Sequence, residues 1–145
     1  MKKGLSFFVI LAILAYGLIS DQGLDTVGLP TSSSIDNNAI QNAFERQLSD
    51  LQVMGRGTVV KVLSDDLEGS RHQRFILKIP NGPSLLVAHN IDLAPRVDGL
   101  RKGDSVEFFG EYEWNAKGGV LHWTHDDPAG RHKDGWLKLN GRTYQ

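Results

Sequence analysis

The sequence predicts a mainly β protein in which one amphipathic α-helix precedes a small barrel of five strands. From residue 55 onward, apolar and polar side chains alternate with a period of two, which is the period of a half-buried strand. The clearest of these strands, residues 105–114, carries Gly110 in its apolar row, and a glycine there often marks a bend in a barrel. A longer connection, residues 90–102, follows the third strand. Together these features favour a Greek-key barrel of the oligonucleotide/oligosaccharide-binding (OB) type, with a β-sandwich or curved sheet as the alternative.

The first 20 residues are typical of an export signal. Met1-Lys2-Lys3 is positively charged, and residues 5–19 are almost entirely apolar. This stretch of about 15 residues is shorter than the roughly 20 that span a bilayer, so it predicts a cleaved signal peptide. An uncleaved N-terminal anchor is the alternative, and it would be the chain's contact with a membrane. In both cases we expect the remainder to be exported, and periplasmic or envelope-associated in a bacterium.

Between the signal and the barrel, the sequence predicts a linker and a helix. Residues 21–34 are rich in Gly, Ser and Asp and lack periodicity, which indicates a flexible linker. Apolar residues then recur at spacings of four, four and three, which predicts an amphipathic helix over residues 35–53. These apolar residues are Ile40, Phe44, Leu48 and Leu51. Residues 54–145 form the predicted OB-like domain, with strands at 58–63, 72–79, 85–89, 105–114 and 120–124 and a small hairpin at 136–144.

The composition limits the classes of function. The chain has 145 residues and a formal net charge of −1, so it is long enough for one domain and carries too little positive charge for a dedicated polyanion binder. Nucleic acid is therefore not the favoured partner. The chain has no cysteine, so an exported form is stabilised by its core or by a metal, and not by disulfides.

Several polar motifs carry a resemblance to a known family. They include Ser64-Asp65-Asp66, the run Ala88-His89-Asn90-Ile91-Asp92-Leu93-Ala94-Pro95-Arg96, Gly110-Glu111-Tyr112-Glu113-Trp114-Asn115 and His122-Trp123-Thr124-His125. In this order they resemble the bacterial family called domain of unknown function 3465, over about residues 50–145. The resemblance implies a small exported bacterial protein, and it implies no activity.

A cluster of histidines and aspartates near the C-terminus predicts a metal site. His122, His125 and His132 lie close in sequence, with Asp126 and Asp127 between them. Zinc takes about four ligands, and both imidazole nitrogen and carboxylate oxygen are suitable. We expect His72 and His89 to complete the shell from neighbouring strands, around zinc or another divalent metal. The alternative is that these side chains hydrogen-bond a long loop to the barrel.

A second group of residues predicts a ligand-binding surface. Arg74 and Arg96 lie in or after the second and third strands and offer anion contacts, whereas Trp123 and Trp136 offer stacking faces. OB-type barrels bind ligands by combining basic and aromatic side chains in this way. However, glutamates at 107, 111 and 113 face outward from the fourth predicted strand, so a groove there favours a neutral or cationic partner.

These observations predict an exported binding or accessory module of the bacterial envelope, with a His/Asp-rich pocket for an unidentified small ligand or envelope protein. The alternative is a metal-dependent hydrolase of phosphodiesters or glycans that uses the His122-His125-His132 cluster. The sequence contains no cysteine, no nucleophile elbow and no phosphate-binding glycine loop, so it favours binding over catalysis.

Overall fold

The computed structural model of the chain describes residues 35–145. The predicted signal and linker, residues 1–34, lie outside the described residues. Within residues 35–145 there are one helix, α1 (Asn37–Glu45), and the strands β1 (Leu51–Val62), β2 (His72–Lys78), β3 (Ser84–Asn90), β4 (Ser105–Glu113), β5 (Val120–His122), β6 (Trp136–Leu139) and β7 (Arg142–Tyr144). None of the helical structure in this part of the chain is long and apolar enough to cross a membrane.

The first five strands form a closed barrel. They lie in the order β1-β2-β3-β5-β4, and β1 also pairs with β4, which closes the sheet on itself. The β3–β5 pair is parallel and the others are antiparallel. The β6–β7 hairpin extends the sheet from β4. The prediction of a mainly β, OB-like barrel of five strands after one helix is therefore confirmed.

Two local features allow the barrel to close. Strand β1 is 12 residues long and its register shifts between Val59 and Lys61, so its first part pairs with β4 and its last part with β2. Gly110 lets β4 approach β5 closely, because a Cβ atom there would lie 2.6 Å from the carbonyl oxygen of His122. Gly110 was predicted to mark a bend, whereas β4 pairs with β1 in an unbroken register through it, and Gly110 is a point of close approach between strands.

The core lies inside the barrel and is capped by the helix. Alternate residues of the strands point inward and are fully buried, among them Phe75, Leu77, Val87, Phe108, Tyr112 and Leu121. The helix buries Ile40 and Ala43 against this cluster. Because the inward positions are occupied by large apolar side chains, a ligand site has to lie on the outer face of the barrel or in its loops.

The predicted helix boundary is wrong at the C-terminal end. The prediction placed the helix over residues 35–53, whereas α1 ends at Glu45 and Leu51 already begins β1. Gln47 has a φ of 56°, and the N–H groups of Gln47 and Leu48 donate to the carbonyls of Phe44 and Ala43. This is the Schellman arrangement that ends helices. The apolar period misled the prediction because Leu48 and Leu51 still pack on the core without being helical.

Candidate functional site

The outer face of β2, β3 and β5 carries a continuous groove. Two cavities of about 390 Å³ and 210 Å³ lie side by side and share His72, Ala88 and His122 as lining residues. The larger cavity is also lined by Arg74, Val120 and Glu113, and the smaller one by Asn90, Trp123 and His125. We call this pair of cavities the groove. The groove forms where outward-facing residues of neighbouring strands are register partners. His72 of β2, for example, pairs with Asn90 of β3.

Ion pairs join two loops that contribute Asp66, Ser70 and Leu93 to the lining of the groove. The Nε atom of Arg71 donates to Asp92 at 2.7 Å, and Arg96 forms an ion pair with Asp65. Both pairs join the loop after β1 to the loop after β3. Exposed pairs of this kind contribute about 1 kcal/mol or less to stability, so their effect is mainly to position the loops.

Beside the groove, three potential metal ligands come together. The structure brings Glu111, Glu113 and His122 so close that one ligand atom of each lies within 4.8 Å of the others. We call these three residues the Glu–His cluster. The Nε2 atom of His122 lies 3.8 Å from Oε1 of Glu111 and 3.6 Å from Oε1 of Glu113. The cluster rests on paired strands, because Glu111 of β4 is the register partner of His122 of β5.

The surroundings of the cluster are acidic. The Asp50 carboxyl lies beside Glu113, and a hydrogen bond and like charge from Glu113 raise the pKa of Asp50. His132 donates from Nε2 to Oε2 of Glu111 and from Nδ1 to the Lys133 carbonyl at 2.8 Å. Burial alone would lower the pKa of His132, but the hydrogen bonds to Glu111 and Lys133 and the Glu111 charge together raise it. Because both ring nitrogens of His132 face acceptor oxygens, the doubly protonated ring fits this position and places positive charge on one side of the cluster.

The Nε2 atom of His122 has no hydrogen-bond partner among residues 35–145, although it is shielded from solvent. The two nearby carboxylates lie beyond hydrogen-bonding distance. A shielded polar atom without a partner costs free energy, so it requires an explanation such as an ion or an ordered water. The cluster is thus incomplete as a purely protein arrangement.

A family model described as "Protein of unknown function (DUF3465)" matches residues 26–145, which is most of the chain. The chain belongs to the DUF3465 family. The resemblance seen in the polar motifs is thereby confirmed. A search of curated proteins gave no match. The family description assigns no activity, so the function of this DUF3465 chain has to be argued from the geometry of its residues.

His89, one of the predicted metal ligands, has a structural role. It is fully buried, Nδ1 accepts from the Thr124 hydroxyl at 2.8 Å and Nε2 donates to the Pro95 carbonyl at 2.9 Å. Burial lowers the pKa of His89 to about 4, so the ring is neutral at pH 7. Since both nitrogens are occupied by protein groups, neither is free to bind a metal. His89 therefore fits the alternative interpretation, in which the histidines hydrogen-bond a loop to the barrel.

Asp127 also has a structural role, in the loop between β5 and β6. Its carboxylate accepts from the backbone N–H groups of Ala129 at 2.9 Å, Arg131 at 2.7 Å and His132 at 2.7 Å. The hydrogen bonds from Ala129 and His132 are the main reason why the pKa of Asp127 is lowered. Its neighbour Asp126 is exposed. Neither carboxylate is part of the Glu–His cluster.

Of the remaining predicted ligands, two line the groove. Trp123 has a φ of 54°, which ends β5 one residue before it, and its ring stacks on His132 with a centroid distance of 3.9 Å. Arg74 lines the groove, but its guanidinium donates to the Ser64 carbonyl at 3.0 Å and 3.1 Å. Trp136 lies elsewhere, in a surface pocket next to Lys138 and Thr143.

The other predicted residues are divided between the groove and its surroundings. His72 and His125 line the groove, and their Nδ1 atoms bond the carbonyls of Ser70 and Asp126. Arg96 is neutralised by Asp65. The sequence analysis missed Glu111 and Glu113 as candidate ligands. The observed register of β4 and β5, which places Glu111 opposite His122, brings these side chains together.

Proposed function

We propose that this DUF3465 protein is an exported binding module of the bacterial envelope whose groove holds a neutral or cationic ligand. The observation that carries the proposal is the groove itself: two cavities with shared walls on an open sheet face, outside a filled core. Concave sites with an apolar floor and a few convergent polar groups are the usual form of ligand sites. The export signal predicted from residues 1–20 supports the location.

The charges around the groove determine the class of ligand. Asp66 and Glu113 line it, and Glu111 lies next to it, whereas Arg74 is the cation in its lining. Local negative charge repels polyanions and attracts cations. His72, His125 and Asn90 add hydrogen-bonding groups, and Trp123 adds an aromatic face. This lining suits a neutral polar molecule, such as an oligosaccharide, or a basic peptide.

A variant that fills the groove tests the proposal. Ala88 lies half-buried on the floor shared by both cavities, so Ala88→Leu occupies the space without removing any polar group. Ala116→Leu makes the same change on an exposed loop and serves as the control. The measurement is an NMR titration with neutral oligosaccharides, tri-lysine and oligo-dT, followed through the resonances of His72, Ala88 and His122.

We expect a neutral or cationic probe to shift these resonances in the wild type and in Ala116→Leu. The affinity of Ala88→Leu for the probe should be at least about tenfold lower, because the added methyl groups occupy the ligand's space. Equal binding to Ala88→Leu, or selective binding of oligo-dT, would contradict it.

A metal-dependent hydrolase is the second candidate, favoured by one observation: Glu113 and His122 belong both to the groove and to the Glu–His cluster. A metal held there could polarise a bound ester or glycoside and activate water. Incubation with p-nitrophenyl phosphodiesters and neutral glycans, with and without a chelator, separates the candidates. Chelator-sensitive turnover that disappears in Glu113→Gln supports the enzyme, and saturable binding without product supports the module.

A further inference from the structure

We infer that Glu111, Glu113 and His122 bind one divalent transition-metal ion of the zinc type at the edge of the groove. This set differs from the predicted His/Asp loop, because of the predicted ligands it retains only His122. The inference deepens the proposed function, since a metal there gives the groove a cationic centre that anchors a ligand. That anchoring role rests on the proposed function, whereas metal binding itself does not.

The spacing of the ligand atoms matches a metal shell. Two ligands of a tetrahedral zinc at about 2.1 Å lie roughly 3.4 Å apart. The Nε2 atom of His122 lies 3.6 Å and 3.8 Å from the nearer oxygens of Glu113 and Glu111. A contraction of a few tenths of an ångström therefore brings His122 Nε2 to ligand–ligand distance from each carboxylate, and all three ligand atoms already lie within 4.8 Å of one another. Small side-chain rotations provide it, since the backbone is fixed by the pairing of β4 with β5.

The unpartnered His122 Nε2 atom is independent support for an ion. If it carries a proton, it has no acceptor within hydrogen-bonding distance among the described residues. If it does not, its lone pair and the carboxylates of Glu111 and Glu113 are unfavourably close. A cation between the three side chains satisfies all of them at once, whereas a protonated His122 meets the two carboxylates only as ion pairs at 3.6 Å and 3.8 Å.

The charge balance also favours a cation. Two carboxylates, those of Glu111 and Glu113, lie beside one imidazole, that of His122. His132 neutralises part of this charge through Oε2 of Glu111. That contact leaves Oε1 of Glu111 facing His122, so it is compatible with metal binding. Carboxylates that bind metals usually accept such an additional hydrogen bond.

The donor set selects the class of ion. Mg²⁺ and Ca²⁺ prefer shells made of oxygen alone, whereas zinc and its neighbours readily accept imidazole nitrogen together with carboxylate oxygen. Because one donor here is a histidine nitrogen, a zinc-type ion should bind in preference to Mg²⁺ or Ca²⁺.

Isothermal titration calorimetry with ZnCl₂ on the chelator-treated protein tests the inference. The variants are Glu111→Gln, Glu113→Gln and His122→Ala, each checked for folding by circular dichroism. Glu107→Gln is the matched control, because Glu107 lies on the same face of β4 but pairs with Arg56. His72→Ala is the control for a histidine of the groove outside the cluster.

We expect the wild-type chain to bind one zinc ion, and we expect excess Mg²⁺ not to reduce this stoichiometry. Even outer-shell partners of a metal change affinity about 10–100-fold, so loss of a direct ligand should weaken binding by more than about 100-fold. Both controls should retain wild-type affinity. If His122→Ala fails to fold, the two glutamine variants, which retain shape and size, decide the question.

Absence of stoichiometric zinc binding, equal competition by Mg²⁺, or full binding in both glutamine variants would overturn the inference. Dependence on His72 in place of Glu111 would overturn it as well. Failure of the proposed function is a separate result. Groove binding that is sensitive to Ala88→Leu but independent of zinc refutes only the anchoring role of the metal. Zinc binding without any groove ligand refutes only the binding module.

Discussion

The buried His89 makes stability depend on pH in a defined window. In the folded protein burial lowers the pKa of His89 from 6.5 to about 4. Above pH 6.5 the ring is neutral in both folded and unfolded chains and costs nothing. As the pH falls from 6.5 to 4, the unfolded chain binds a proton that the folded chain does not, so stability decreases. Below about pH 4 the folded form is protonated too and the loss levels off.

The size of the effect follows from the pKa difference. Each pKa unit corresponds to 1.36 kcal/mol, so a shift from 6.5 to about 4 gives a loss of about 3 kcal/mol. This is a large part of the 5–15 kcal/mol typical of a small domain. Two aspartates affect stability over a different pH range. Hydrogen bonds from Arg71 lower the pKa of Asp92, and hydrogen bonds from backbone N–H groups lower the pKa of Asp127. Their contribution is complete above the ordinary value of 3.8 and is lost only below it.

Urea unfolding between pH 7.0 and 4.5 measures this dependence in the wild type and in His89→Gln. The glutamine amide retains a donor for Pro95 and an acceptor for Thr124 but has no proton to gain. Its stability is expected to be lower at pH 7 and nearly constant down to pH 4.5. A His89→Gln protein that loses stability as steeply as the wild type would refute the reasoning.

The remaining predictions concern the loop between β5 and β6 and the end of the helix. Asp127→Ala removes three hydrogen bonds to backbone N–H groups, so we expect a loss of stability and faster amide exchange at Ala129, Arg131 and His132. Unchanged exchange there would contradict this role for Asp127. Gln47→Gly places glycine at a φ of 56° after α1, so chemical unfolding should show a gain of up to about 1 kcal/mol. Destabilisation would mean that the Gln47 side chain contributes more than its backbone strain costs.

Local sequence patterns predicted the barrel because each strand alternates cleanly. In β4 the buried residues Val106, Phe108, Gly110 and Tyr112 alternate with half-buried ones, and the same period identifies β2 and β3. The end of the helix was not predictable in this way. A glycine usually marks the left-handed residue after a helix, whereas here Gln47 takes that conformation.

The candidate site was predicted only in part, because the prediction did not assign each histidine to the inner or the outer face of the sheet. His72, His122 and His125 were grouped as candidate metal ligands, and they line one groove. His89 was placed with them, but its buried neighbours Leu85 and Val87 already indicate that its side of β3 faces the core. Outward glutamates on a strand look like a solvated surface. Only the cross-strand register identifies Glu111 as a neighbour of His122.

The most direct test of the account is an anomalous diffraction map, recorded at the zinc absorption edge, from crystals of the protein grown with zinc. The account predicts one strong peak bounded by His122 Nε2 and the carboxylates of Glu111 and Glu113, at the edge of the groove. A peak on the loop that carries His125 and Asp126, or no peak at the cluster, would contradict it.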